Sequence, residues 1–96
     1  MPKGYWLATY KKIGNTDNLK KYATKATEII KTFGAEPLVR GGIYTCLEGE
    51  SYLRTVIWQF PNYDAAEKCY KSSAYQGAWN LAKRSTERNL QIVEGV

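Results

Sequence analysis

The 96-residue sequence has no histidine, two cysteines, three prolines and a single methionine. Without histidine, no Ser-His-Asp or Cys-His arrangement can be assembled. Any acid–base step would fall to Asp, Glu, Lys or Tyr, and no spacing singles out a pair of these. Cys46 and Cys69 form no CxxC pair, so neither zinc nor thioredoxin-like chemistry is supported, and no metal or cofactor is expected. No run approaches the ~20 apolar residues of a membrane helix. The opening MPKGYWLATYKK lacks the apolar segment of a signal peptide. These absences lead us to expect a cytoplasmic protein whose two reduced thiols are small core residues.

What is present fits one globular domain spanning 1–96: 44% apolar residues, among them eight tyrosines and three tryptophans. Fourteen Lys+Arg against nine Asp+Glu give a net charge of +5. The excess is scattered, with Lys20, Lys21, Lys25 and Lys31 along one helix, which reads as a solvated face.

Short-range signals order the chain. The aromatic run Tyr5–Tyr10 reads as a strand. Asn15 or Thr16 can cap a helix carrying Leu19, Tyr22, Ala23, Ala26, Ile30 and Phe33 at helical spacing, stopped by Gly34. Leu38–Leu47 reads as a second strand that Gly41-Gly42 breaks or bulges, Glu48-Gly49-Glu50 as a turn, and Tyr52–Phe60 as a third strand. Asn62 caps a further helix. Ser72-Ser73 interrupts it, and Ser73 with Gln76 suits a capping box for the next. Asn89–Glu94 closes the chain as a strand. The order strand–helix–strand–strand–helix–strand is that of a ferredoxin-like α+β sandwich: a four-stranded antiparallel sheet with helices on one face.

Such a sheet leaves its other face open, and the third strand carries apolar residues on both sides. Two uses of that face follow. Aromatics on the central strands, Tyr5/Trp6 and Trp58/Phe60, could stack RNA bases as in the RNA-recognition module, although LRTVIWQF lacks that module's glycine and aromatic spacing. Alternatively, a second copy covers the face and closes a dimeric α/β barrel, with Val56, Trp58 and Phe60 as interface core. The second use also relieves the thin core of so short a chain, and we favour it over nucleic-acid binding.

GYW near the start, LVRGG, the EG turn, an Arg before an apolar strand ending in FP, YKSSAYQ and a terminal VEG occur in that order from Gly4 to Gly95. In this the chain resembles DUF1330, a family of unknown function in the dimeric α/β-barrel superfamily. The resemblance implies a ferredoxin-like protomer, a homodimer and a cytosolic bacterial setting, and it implies no particular reaction. The chain departs from the family pattern at Gln59, where an acid is usual, at Gly34-Ala35 in place of Gly-Gly, and at Ala82, where an arginine is usual. Related barrels include cofactor-independent oxygenases of aromatic compounds.

For chemistry, LVRGG stands out. An arginine on a half-buried strand needs a carboxylate, carbonyls or an anionic ligand, and adjacent glycines leave room beside it. Arg40 with Arg54 from the next strand, near Tyr70 and Tyr75, could hold a carboxylate or phosphate, and Trp6 could wall an apolar pocket. The expected function is therefore binding of a small anionic or aromatic metabolite between sheet and helices. The alternatives are a cofactor-independent monooxygenase- or isomerase-like enzyme using the same pocket, or a purely structural role in which Glu48, Glu50 or Glu94 saturates both arginines.

Overall fold

A computed structural model describes residues 2–96. The chain runs β1 (Gly4–Ile13), α1 (Thr16–Thr32), β2 (Glu36–Arg40), β3 (Arg54–Phe60), α2 (Tyr63–Lys71), α3 (Ser73–Trp79) and β4 (Thr86–Glu94). The strands form one antiparallel sheet in the order β2-β3-β1-β4. This is the ferredoxin-like arrangement expected from the element order. No helix among the described residues is long and apolar enough to cross a membrane.

Local chemistry accounts for the boundaries. The Asn15 side chain accepts from the Asn18 N–H at 2.9 Å and starts α1. Gly34, at φ 80°, ends it in the left-handed conformation that favours glycine. Asn62 caps α2 through Ala65 N–H. The cap between α2 and α3 is Ser72, not Ser73. Its hydroxyl donates to the Cys69 carbonyl at 2.7 Å and accepts from Tyr75 N–H at 3.2 Å, joining the end of one helix to the start of the next.

The second strand is shorter than expected. β2 ends at Arg40, and Gly41 and Gly42, both at positive φ, turn the chain into an exposed connection that re-enters the sheet at Arg54. Two consecutive left-handed residues cannot continue a pleat. Cys46 lies in this connection and is exposed, contrary to its expected place in the core, whereas Cys69 is fully buried in α2. Burial pushes the Cys69 thiol up to about 12. At pH 8 iodoacetamide should therefore add once per native chain, at Cys46, and twice only after unfolding. Rapid double labelling of the native protein, read by mass spectrometry, would contradict the buried position of Cys69.

The core lies between the sheet and the helices. Trp6 of β1, Trp58 and Phe60 of β3, Ala66 and Cys69 of α2, and Tyr22, Ala26 and Ile30 of α1 form it. Pairing in register puts Trp6 opposite Trp58, and Ala8 opposite Val56 and Leu90, all on this covered face. This corrects the interface expected on Val56, Trp58 and Phe60. Phe60 is 1% and Trp58 5% exposed in a lone protomer, and Val56 packs against the same cluster. The covered face takes the bulkiest residues because only there can helices fill in around them. The open face instead carries Tyr5, Leu7 and Thr9 of β1 against Thr55, Ile57 and Gln59 of β3 and Asn89, Gln91 and Val93 of β4. Of the four aromatics considered for base stacking, only Tyr5 is there.

Candidate functional site

The pairing register that builds the core also builds a cavity beside it. On the covered face, successive rows across the sheet read Arg54–Tyr10–Arg88, then Arg40–Val56–Ala8–Leu90, then Trp58–Trp6–Ile92. The middle row has its smallest member, Ala8, at the centre, and α1 presents Ala23 and Ala26 to the same space. Small residues on both walls leave a gap that neither element fills. The result is a cavity of about 250 Å³ under α1, walled by Trp6, Trp58, Val56, Leu90 and Ile30.

Arg40, Arg54 and Arg88 all line this cavity, and its lining includes no Asp or Glu. Arg40 stands at the solvent rim. Its Nη2 donates to the Thr27 hydroxyl at 3.2 Å, and its guanidinium carbon lies 5.9 Å from the Trp58 ring centroid. Arg54 packs against the first glycine of the pair. A Cβ on Gly41 would lie 2.6 Å from Arg54 Nη1, so the room that glycine leaves is taken by the guanidinium of the neighbouring strand. Gly41 N–H also donates to the Thr55 carbonyl at 2.9 Å, tying the turn to β3. Neither arginine is saturated by protein carboxylates. The one ion pair within 4.0 Å among the described residues joins Lys71 to Glu67 on α2.

Arg88 was not singled out from the sequence. Its Nη1 donates to the hydroxyls of Tyr10 and Tyr22, each at 3.2 Å, and its Nη2 to that of Tyr75 at 2.6 Å. The Tyr22 and Tyr75 hydroxyls are 2.7 Å apart. The guanidinium also lies 3.6 Å from the Trp79 ring centroid. A half-buried cation is thus held by three phenols and an aromatic face, with no counter-charge. A sequence signal for it exists: Arg88 is in phase with Leu90 and Ile92, the inward residues of β4. Beginning the last strand at Asn89 hides that phase.

The remaining expected residues separate. Trp6 lines the cavity and donates its Nε1–H to the Ala66 carbonyl at 2.9 Å. Tyr75 is fully buried behind the cavity wall and reaches it through Arg88 and Tyr22. Tyr70 lies outside, with its ring edge-on to Trp6 at 6.1 Å.

Burial raises both Tyr22 and Tyr75 above the ordinary phenol value, against the pull of Arg88. Above about pH 10 the unfolded chain releases protons that the folded chain still holds, so stability must fall as pH rises. Cys69 adds to this from pH 9 up to about 12. Each such group steepens the fall by up to about 1.4 kcal/mol per pH unit. The urea midpoint should therefore be level from pH 7 to pH 9 and drop clearly by pH 11. An unchanged midpoint at pH 11 would remove these buried protons from the account.

The family model DUF1330, a domain of unknown function, matches residues 3–96. The chain belongs to this family. None of the curated proteins is similar enough to match it. Among solved structures, an RPA0582 protein of unknown function from Rhodopseudomonas palustris is similar at TM-score 0.79 and 12% identity, covering 99% of this chain and 83% of that one. A dimeric ferredoxin-like protein of unknown function from Thermobifida fusca has TM-score 0.64 and 10% identity over 97% and 91%. SnoaB, a cofactor-independent oxygenase from Streptomyces nogalater, has TM-score 0.62 and 6% identity over 97% and 92%. At these identities the likeness is one of fold.

Proposed function

We propose that this DUF1330 protein binds a small anionic or aromatic metabolite in the cavity between the sheet and α1, with Arg40 and Arg54 holding its charge. The observation that carries this reading is the convergence of three arginines, Arg88 included, on one apolar cavity whose lining has no acid. Cations gathered without counter-charge repel one another, and a bound anion relieves that repulsion. The test is calorimetric titration of the protein with a panel of small carboxylates, phosphates and neutral aromatics. Saturable binding that weakens in the double variant Arg40→Gln/Arg54→Gln supports the reading, and failure of every compound to bind removes it.

The assembly proposed with it is a homodimer through the open sheet face, in line with the dimeric neighbour from Thermobifida fusca. Leu7 and Ile57 lie at the centre of that face, directly paired, without a charged residue beside them on β1 or β3. Ile57→Asp should convert a dimer mass in light scattering to a monomer mass while the circular dichroism spectrum is kept. A monomeric parent protein would end this part of the reading.

An enzymatic use of the same cavity rests on Arg88. A guanidinium fixed by three phenols is pre-organised to stabilise an oxyanion developing on a bound aromatic, and the oxygenase SnoaB shares the fold. Oxygen uptake with a bound phenolic compound, measured by electrode, distinguishes catalysis from binding alone.

A further inference from the structure

The three arginines are not equivalent, and their placement narrows the ligand. Arg54 and Arg88 flank Tyr10 on either side in the same cross-strand row, both directed to the covered face. Their backbones are two strand spacings apart, about 10 Å. The Arg54 guanidinium rests beside Gly41, and its long, flexible side chain has the reach to swing over Tyr10 and meet a carboxylate from the side opposite Arg88. Nη1 of Arg88 is committed to Tyr10 and Tyr22 and one Nη2 hydrogen to Tyr75. Among the described residues the second Nη2 hydrogen and Nε–H have no hydrogen-bond partner. Because the Tyr10 hydroxyl accepts from Arg88, its own proton is free to donate. Donors therefore converge on this row from three strands' worth of sheet, and beyond it, apart from Arg40 at the rim, the sheet floor is apolar: Ala8, Val56 and Leu90, then Trp6 and Trp58.

Size follows from the same geometry. An apolar cavity of ~150 Å³ accommodates a benzene ring. About 250 Å³ suits one ring with a short acidic substituent and is small for drug-sized molecules, whose pockets begin at roughly 300 Å³. Ala8 sets this depth. It is the one small side chain in the sheet row that floors the cavity, facing Ala23 and Ala26 of α1.

Resting on the pocket reading above, we infer that the ligand is a single-ring aromatic carboxylate. Its carboxylate sits over Tyr10 between Arg54 and Arg88, its ring lies on Ala8 against the tryptophan wall, and Ala8 is the residue that limits ring size. Arg40 adds its charge from the rim, at the end of the Ala8 row.

The test uses benzoate, benzamide, acetate and inorganic phosphate as probes of the protein, by calorimetry and by its tryptophan fluorescence. Benzoate is expected to bind at least tenfold more tightly than the other three. Ala8→Leu should weaken benzoate at least tenfold with all arginines in place, and Ala23→Leu, from the opposite wall, should do the same if the strand variant folds poorly. Arg54→Gln should weaken benzoate several-fold while leaving benzamide unchanged, the residual preference for benzoate being that of Arg88. Benzamide binding as tightly as benzoate overturns the carboxylate assignment. Acetate or phosphate binding as tightly overturns the ring while leaving an anion pocket intact. Full benzoate affinity in both alanine variants overturns the ring's seat. No binding by any probe or by the wider panel removes the pocket reading itself.

Discussion

Arg88→Met should lower the unfolding free energy by about 2–4 kcal/mol. Three charge-assisted hydrogen bonds disappear, each ordinarily contributing about 1.5–3 kcal/mol, together with the stacking of the cation on Trp79. Against this stands the desolvation of a cation without a carboxylate, which methionine relieves. The bonds win because the phenols remain buried after the substitution. Tyr22 and Tyr75 still have each other at 2.7 Å, whereas Tyr10 loses the one donor among the described residues that reaches its hydroxyl. For a chain of this length the loss amounts to a fall of roughly 10–25 °C in melting temperature. Arg88→Lys should recover less than half of it, because a single ammonium neither spans three hydroxyls nor lies flat on an indole. A methionine variant as stable as the parent would show that the desolvation cost dominates and that Arg88 is retained for what it binds.

Trp58→Ala is expected to cost about 3–5 kcal/mol, the usual penalty for emptying a large aromatic site in a core. Natural domains have only about 5–15 kcal/mol in all, so this variant should be partly unfolded at 37 °C. The size of the effect follows from where the ring lies. It is 5% exposed in the lone protomer, among the sheet and helix residues of the core, and also walls the cavity. The contrast with Ile57 one residue away discriminates between the two faces of β3. Ile57→Asp should leave the unfolding free energy of the protomer within about 1 kcal/mol, since surface substitutions seldom exceed that. If Trp58→Ala instead produced a stable monomer and Ile57→Asp unfolded the chain, the assignment of the faces would be reversed.

The face assignment also shows where sequence reasoning stops. Period-2 alternation divides β3 into Val56-Trp58-Phe60 and Thr55-Ile57-Gln59, but it does not say which set meets the helices. Volume carries the answer. Two tryptophans paired across β1 and β3 need the depth of a sheet–helix layer, and the smaller Leu7 and Ile57 suit the open face. The strand that failed to extend, from Leu38 towards Leu47, failed for a local reason: Gly41 and Gly42 both take positive φ. Glycine permits a pleat as well as a turn; at Gly41 the turn is tied to β3 by the bond from its N–H to the Thr55 carbonyl, with the Arg54 guanidinium packed where a side chain would stand.

The order of elements, a cap at Asn15 or Thr16, the cap at Asn62 and the stop at Gly34 were determined by the sequence alone, because each depends on side chains within a few residues of one another. So was the arginine–glycine signature that marked Arg40. The site was decided only by the tertiary structure. Arg88 lies 78 residues from Tyr10, 66 from Tyr22 and 13 from Tyr75, and only the β1–β4 pairing and the packing of α1 and α3 bring the four together. The cavity likewise has no local signature. It exists because Ala8 on β1 meets Ala23 and Ala26 on α1, three small residues whose coincidence in space depends on strand register and helix placement at once.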